Sequence, residues 1–389
     1  MSDWETKNLA DLLDRPLAYG VLKPGPYEEG GIPLVRIQDH KDGEIKSNSL
    51  HKIPIALHHE FKRTELRDGD IIISVVGTIG RTAIIPKHLT GANVSRAFAV
   101  IGCSDEIDKH FLDQYLKSDI SQSWFKEQCQ GNAQQVLNLG TLRGYPVPIP
   151  PLPEQKKIAE ILSGIDFLEN ALNSLIVKQI SLRKAITLDL MSHGAGNKVL
   201  KDSERGKIPF DWEVLPLGSI FTLTSGKSKP KSLLSSMATD CEKIPVYGGN
   251  GITGYTADHL LDLPTIAIGR VGEYCGAVHL TPTKSWVTDN ALYIKDRILD
   301  FDLPFMYYFL AYCEISKMRK QGGQPLVSQK PILDLVVAIP TTEEQRRIAL
   351  ILDSISNNIF LLEGRRQRVR DLKDSISQDL LSGRKRVSI

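Results

Sequence analysis

At 389 residues with 41% hydrophobic content, the chain is long enough for two or more domains with buried cores. A net charge of +2 gives no global basic field, so any nucleic-acid partner must be met by local patches. No apolar run approaches the roughly 18 residues of a membrane span, and five separated cysteines without a Cys-x-x-Cys pair argue against structural zinc.

The N-terminal MSDWETKNLADLL lacks the basic head and apolar stretch of a secretion signal, so a cytoplasmic location is expected. A first globular stretch, residues 1–150, opens at Trp4-Glu5. It contains GDIIISVVGTIGRTAII from Gly69, which reads as strand, Gly-x-x-Gly turn and strand. A further strand (NVSRAFAVIG), a helix (KHFLDQYLKSDISQSWFKEQ) and a Gly/Gln loop (QGNAQQVLN) follow. Next comes PVPIPPLPEQKKIAEIL, from Pro146 to Leu162, a proline cluster that turns at once into a charged, apolar-periodic segment. Proline fixes φ and suits a first helical turn, so the cluster is expected to hold the globular part at a set angle to a long helix. That helix belongs to a segment spanning 151–200 and closing at Gly194.

A second stretch, 201–340, opens with GKIPFDWE at Trp212-Glu213 and repeats the plan. LPTIAIGRVGEYCGAVH, DNALYIK, LPFMYYFLAYCEISKMRKQ and QGGQPLVSQ match the earlier elements in turn, with Gly269 and Gly272 set against Gly77 and Gly80. VVAIPTTEEQRRIALIL then leads into a second long helix in 341–389 that ends near Gly383. An offset of 190 pairs Glu154 with Glu344, Gln155 with Gln345, Ile158 with Ile348 and Leu162 with Leu352. The chain is an internal repeat of two mixed α/β domains, each followed by a helix of about 38 residues, roughly 57 Å long. Apolar positions stepping by three and four predict a coiled-coil seam. It comprises Ile158, Ile161, Ile165, Leu168, Leu172, Leu175, Leu182 and Ile186, with Ile348, Ile351, Ile355, Leu362, Val369, Leu372 and Ile376, interrupted at Gln179, Asn358 and Arg365.

PIPPLPEQKKIAEIL, IPFDWEVLPLGSI and the GGNGITGY loop, set in this duplicated plan, resemble the specificity (S) subunits of type I restriction–modification systems over essentially the whole chain. The resemblance implies an α/β (α+β) fold of two target-recognition domains separated by two long helices packed as an antiparallel coiled coil with pseudo-twofold symmetry. It implies that each domain reads one half of a bipartite, asymmetric double-stranded DNA target. The helices would set the spacing and dock two methyltransferase subunits, with restriction/translocase subunits joining the full complex. Adenine methylation and restriction would follow from those partners, and S-adenosylmethionine, ATP and Mg would be expected only on them. Self-association of the isolated chain through exposed seams is a further expectation.

Chemistry on the chain itself finds little support. TLTSGKSKP resembles a phosphate loop, but Phe221 stands where the first glycine is needed. The acids of DHKDGEIK crowd a β-turn at Asp42-Gly43, and the adjacent His58-His59 point apart, a poor metal pair. No Asn-Pro-Pro-aromatic methylation motif or glycine-rich methyl-donor loop occurs, so a non-catalytic subunit with no metal site is expected. Base edges are read by Arg, Lys, Asn and Gln, while phosphates take Lys, Arg, Ser and backbone N–H groups. The DNA-binding candidates are therefore Arg36, Gln38, Arg81, Asn93, Ser95, Arg96, Gln134 and Gln135 in the first domain. In the second they are Lys227, Lys229, Asn250, Arg270, Asp289, Asn290, Gln324, Ser328 and Lys330. The basic RRQRVRDLK of the second helix reads as a solvated helix face.

Overall fold

The computed structural model of the chain describes residues 4–41, 43–129, 135–196, 199–204, 206–319 and 325–388. It divides into two compact units, Met1–Asn173 with Gly364–Ile389, and Ser174–Glu363. The first long helix runs from Leu152 to His193 and the second from Thr342 to Leu381. Each unit therefore owns one globular domain, the start of the helix that follows it, and the end of the other helix. The cores record this arrangement. Ile158, Leu162, Leu380 and Leu381 share the first unit's core, and their 190-residue counterparts Ile348, Leu352, Leu190 and Met191 share the second's.

Within each unit the two helix segments are antiparallel. Asp166 faces Lys373 (2.5 Å), Glu169 faces Arg370 (2.6 Å) and Asn173 faces Arg366 (3.0 Å) in the first unit, one residue number rising as the other falls. The second unit repeats this with Arg183 and Ser356, 3.5 Å apart. Protected positions run 158, 162, 165, 169, 172, 176, 179, 183, 186 and 190, and again at 348, 352, 355, 359, 362, 366, 369, 373, 376 and 380. The seam is thus a heptad stepping four-then-three, not the three-then-four that the sequence predicts, so alternate positions differ by one residue. Leu168, Leu175 and Leu182 are consequently 49%, 41% and 47% exposed, and Ile351 and Leu372 also face outward. Ile176 and Ile359 are buried instead, while Asn358 and Arg365 lie on the solvent side and do not interrupt the seam.

The joint between domain and helix is built on one plan twice. Glu5–Asn8 pairs antiparallel with Pro146–Ile149, and Glu213–Pro216 with Val336–Ile339, in the same register. The buried Gln155 donates to the Pro150 carbonyl (2.9 Å) and accepts from the Asp108 N–H (2.7 Å). Gln345 does the same with Pro340 (2.9 Å) and Asp302 (2.9 Å). Asp108 and Asp302 are also side-chain N-caps of helices Lys109–Lys117 and Leu303–Tyr312. One glutamine therefore fastens a long helix to the first turn of a domain helix. The proline cluster is not required for this joint, because the second copy makes it with Thr341 and Glu343 in place of Pro151 and Pro153.

The neighbouring glutamate receives the end of the other helix. Glu344 accepts from Trp212 Nε1 (3.0 Å) and the Ala195 N–H (3.0 Å), just past the left-handed Gly194 (φ 78°). Glu154 accepts both Nε and a terminal nitrogen of Arg386 at 2.6 Å, just past the left-handed Gly383 (φ 68°). The Arg386 guanidinium holds the Glu154 carboxyl below its ordinary value, and hydrogen bonds to a charged group stabilise more than neutral ones. A depressed carboxyl contributes stability above its unfolded pKa and loses it as pH falls through the folded value. Arg386→Ala should therefore lower first-unit stability by about 1–2 kcal/mol at neutral pH. Thermal melting across pH should show the gap to wild type closing below the ordinary glutamate pKa of about 4.3.

The two domains share one core topology. A fully buried central strand, Ile71–Ser74 or Ile266–Gly269, lies antiparallel between two neighbours: Thr82–Ile84 and Phe98–Ile101, or Val278–Leu280 and Ala291–Arg297. Phe221–Ser225 adds a fourth strand in the second domain. A second sheet centres on Ile32–Val35, with His51–Ile53 antiparallel and Asn93–Val94 parallel to it. Its counterpart centres on Ile244–Gly248, with Gly251–Thr256 and Trp286–Val287. Two expected elements are broken. The strand expected across Asn93–Gly102 is two short strands, and the following helix splits at Ser118, whose extended backbone caps Asp119–Gln128. In the second copy Glu314 turns left-handed (φ 49°) and ends the helix early.

Candidate nucleic-acid interface

Matching hydrogen bonds set the loops of the two domains in register. Ser95 N–H donates to the Val35 carbonyl and Phe98 N–H to Ser95; Thr288 donates to Tyr247 and Ala291 to Thr288. Ser95-Arg96-Ala97 is thus the structural equivalent of Thr288-Asp289-Asn290. By the same pairing Val35 aligns with Tyr247, so Arg36 matches Gly248 and Gln38 matches Asn250. In the glycine turns, Gly77 donates to Gln135 and Gly272 to Pro325, while Gly80 donates to Ser74 and Gly276 to Gly269. The equivalent glycines are therefore Gly77 with Gly272 and Gly80 with Gly276. The 192-residue offset suggested by the sequence does not hold here, because the second turn carries one more residue and Gly269 ends a strand.

The loop that resembled a phosphate site also has a counterpart. Gly20 donates to Phe98 and Gly226 to Ala291, and Val21 to Val94 as Lys227 to Val287. Gly20-Val21-Leu22-Lys23-Pro24 therefore matches Gly226-Lys227-Ser228-Lys229-Pro230, a Gly-x-x-Lys-Pro repeat that sequence reasoning missed. It was legible as a short identity, but the offset there is 206 rather than 190, which hid it from a fixed-frame comparison.

In the second domain these loops enclose a cleft of about 440 Å³. It is lined by Lys229 and Lys231, the Gly248–Asn250 turn, Val271–Tyr274 and Thr288–Asn290. Of the sequence candidates, Lys229, Asn250, Asp289 and Asn290 meet there, and Lys231, Glu273 and Tyr274 are additions. Lys229 is not free: its ammonium sits 4.0 Å over the Trp286 ring and 3.0 Å from Asp258, and its side chain is 7% exposed. It braces the wall rather than reaching into solvent. Trp286 Nε1 donates to the Lys227 carbonyl (2.9 Å), fixing the same loop, while the Lys227 side chain is exposed. Arg270 is half-buried and donates to Ser225 Oγ (3.1 Å). Ser328 precedes the short helix Gln329–Leu333 on which Lys330 is exposed, and neither lines the cleft.

In the first domain Gln38, Arg81, Arg96 and Gln135 are exposed and Ser95 is half-buried. Arg36 is half-buried and tied to Asp39 (3.3 Å). Lys23, unremarked in the sequence, is exposed at the position of Lys229. Asn93 is withdrawn from the interface. Fully buried, it donates to the Phe61 carbonyl (3.1 Å), accepts from Thr64 (2.8 Å) and lies 3.3 Å from His58 Nδ1. Its polar side chain is taken up in holding the Pro54–Thr64 segment to the sheet. His58 belongs to that web, and burial pushes its pKa down. Gln134 and Gln324 lie outside the described residues. Among the described residues no group of three or more His, Cys, Asp or Glu is placed to hold a metal, and no helix is long and apolar enough to cross a membrane.

Two domains of shared core topology with differently lined loop clusters, each fused to a helix pair, define a duplicated protein with two unlike heads. The Type I restriction modification DNA specificity domain profile matches residues 1–181 and 209–370, and the chain belongs to that family. A Methanocaldococcus jannaschii protein inferred to be the MjaX type I restriction enzyme specificity subunit is 28% identical over 409 residues, covering 99% of this chain and 94% of its own. The Escherichia coli EcoBI specificity subunit is 32% identical over 191 residues, 47% of this chain and 40% of its own. In fold, the type I restriction–modification S subunit of M. genitalium is similar over 97% of this chain and 96% of its own, with TM-score 0.66 at 19% identity.

Proposed function

We propose that this chain is the DNA-recognition subunit of a type I restriction–modification complex, in which each domain's loop cluster takes one half of a bipartite target. The observation that carries this reading is the second domain's cleft together with its counterpart loops in the first. The same backbone positions recur, and nearly every exposed side chain on them differs. A shared scaffold with divergent loop chemistry suits two unlike half-sites, and half-sites one DNA turn apart, about 34 Å, suit a protein built as an internal repeat. Lys227, Lys231, Lys23 and Arg81 suit phosphates, while Gln38, Arg96, Asn250, Asp289 and Asn290 suit base edges.

The long helices then set the separation of the half-sites and offer outward leucines, among them Leu175 and Leu182 in the second unit, to methyltransferase subunits. Restriction subunits would join through that assembly, and self-association of the isolated chain would use the same exposed leucines. Bond-making, with its S-adenosylmethionine, ATP and Mg, falls to the partners. Mapping adenine methylation in cells that carry this chain with its methyltransferase subunits should reveal two different short motifs separated by a fixed gap of unspecified bases. A single contiguous motif would contradict the reading.

A further inference from the structure

Arg96 and Asp289 occupy one structural position with opposite charge. Each is exposed and follows a residue whose N–H and carbonyl make the same two backbone hydrogen bonds in its domain. No ion pair to either side chain forms among the described residues, although in the second domain Lys229 lines the same cleft as Asp289 and pairs with Asp258. In the second domain this position lines the cleft beside Asn250 and Asn290. On the proposed reading, DNA enters these loops, and the charge inversion restricts what part of it can face residue 289. A carboxylate cannot face a phosphate without strong repulsion. The DNA groups that attract it are exocyclic amines. In the major groove cytosine N4–H₂ offers a donor without the flanking N7 acceptor that adenine sets beside its own amine. An arginine at the same place then also faces a base edge, and guanine's paired O6 and N7 acceptors match its fork.

We propose that these two residues are matched specificity determinants, Arg96 reading a guanine in one half-site and Asp289 a cytosine in the other. Lys227 and Lys231, exposed around the second cleft, balance the acids there by holding the flanking phosphates.

The inference rests on the recognition reading, and one experiment separates them. The full chain is assembled with its methyltransferase subunits, and methylation is sequenced for wild type, Arg96→Gln, Asp289→Asn and an exchange of residues 1–150 with another family member's domain. Glutamine and asparagine both pair bidentately with adenine. Arg96→Gln should shift one guanine toward adenine in one half-site only, and Asp289→Asn should shift one cytosine toward adenine in the other. Each preference should change about ten- to a hundredfold. If the exchange rewrites one half-site while both point variants leave every base preference intact, or weaken all sequences equally, the assignment is overturned and the recognition reading stands. If the exchange itself alters neither half-site, both fall.

Discussion

Gly226→Ala and Gly20→Ala are each expected to destabilise their own domain by about 2–3 kcal/mol and to abolish recognition of one half-site. A Cβ on Gly226 would lie far inside contact distance of the Val287 carbonyl oxygen and close to that of Thr288; a Cβ on Gly20 would collide with the carbonyls of Val94 and Ser95. Neither glycine has a positive φ, so lack of space decides the outcome. The clashing atoms are backbone, in a sheet strand and the turn after it, and cannot swing aside like a flexible side chain. The chain must move either the Gly-x-x-Lys-Pro loop or the turn bearing Arg96 or Asp289, and both belong to the candidate interface. Gly164→Ala, with open space around it in the first long helix, provides the contrast and should stabilise by about 0.5–1 kcal/mol. Denaturant unfolding of the three variants, alongside methylation of the mapped target, checks both halves of this expectation.

Gln345→Leu and Gln155→Leu should each cost about 2–4 kcal/mol. Leucine fills a similar volume, so packing survives, but a buried carbonyl and a half-buried N–H lose their partner together. The N–H belongs to the residue that caps the domain helix, so the loss falls on the joint rather than on either side of it. In the first copy Gln155 also donates to the Glu106 carbonyl (3.1 Å), so Gln155→Leu should be the more damaging of the pair. Amide hydrogen exchange should show Leu303–Tyr312 or Lys109–Lys117 loosening in the matching variant, with the other domain unchanged. Equal loosening of both domains would mean that the glutamine acts on global stability alone.

Much of this architecture is written plainly in the sequence. The 190-residue offset identifies Glu154 with Glu344 and Gln155 with Gln345, and the structure gives each pair one job. What the offset does not reveal is that the buried glutamate meets the end of the other helix, because that contact is distant in sequence: 232 residues for Arg386 and 149 for Ala195. The seam differs by one residue at alternate positions because leucine at 168 and 182 outranks Glu169 and Arg183 on hydrophobicity alone, and between them Leu175 and Ile176 are equally apolar. Glu169 tolerates a seam position because Arg370 pairs with it, and Arg183 because Ser356 does. Loop register was the least legible part. Hydrogen-bond equivalence depends on where strands end, and the insertions between copies shift the offset from 190 at the helices to 193 at Arg96 and Asp289 and to 206 at Gly20 and Gly226. Asn93 reads as a groove residue by type, yet its partners Thr64 and His58 lie some thirty residues upstream and bury it.

The most direct test of two independent reading heads is to replace residues 1–150 alone and sequence methylation in cells carrying the matching methyltransferase subunits. One half-site should change completely, while the other half-site and the gap between them stay as they were. A target altered in both halves, or in neither, would contradict the account.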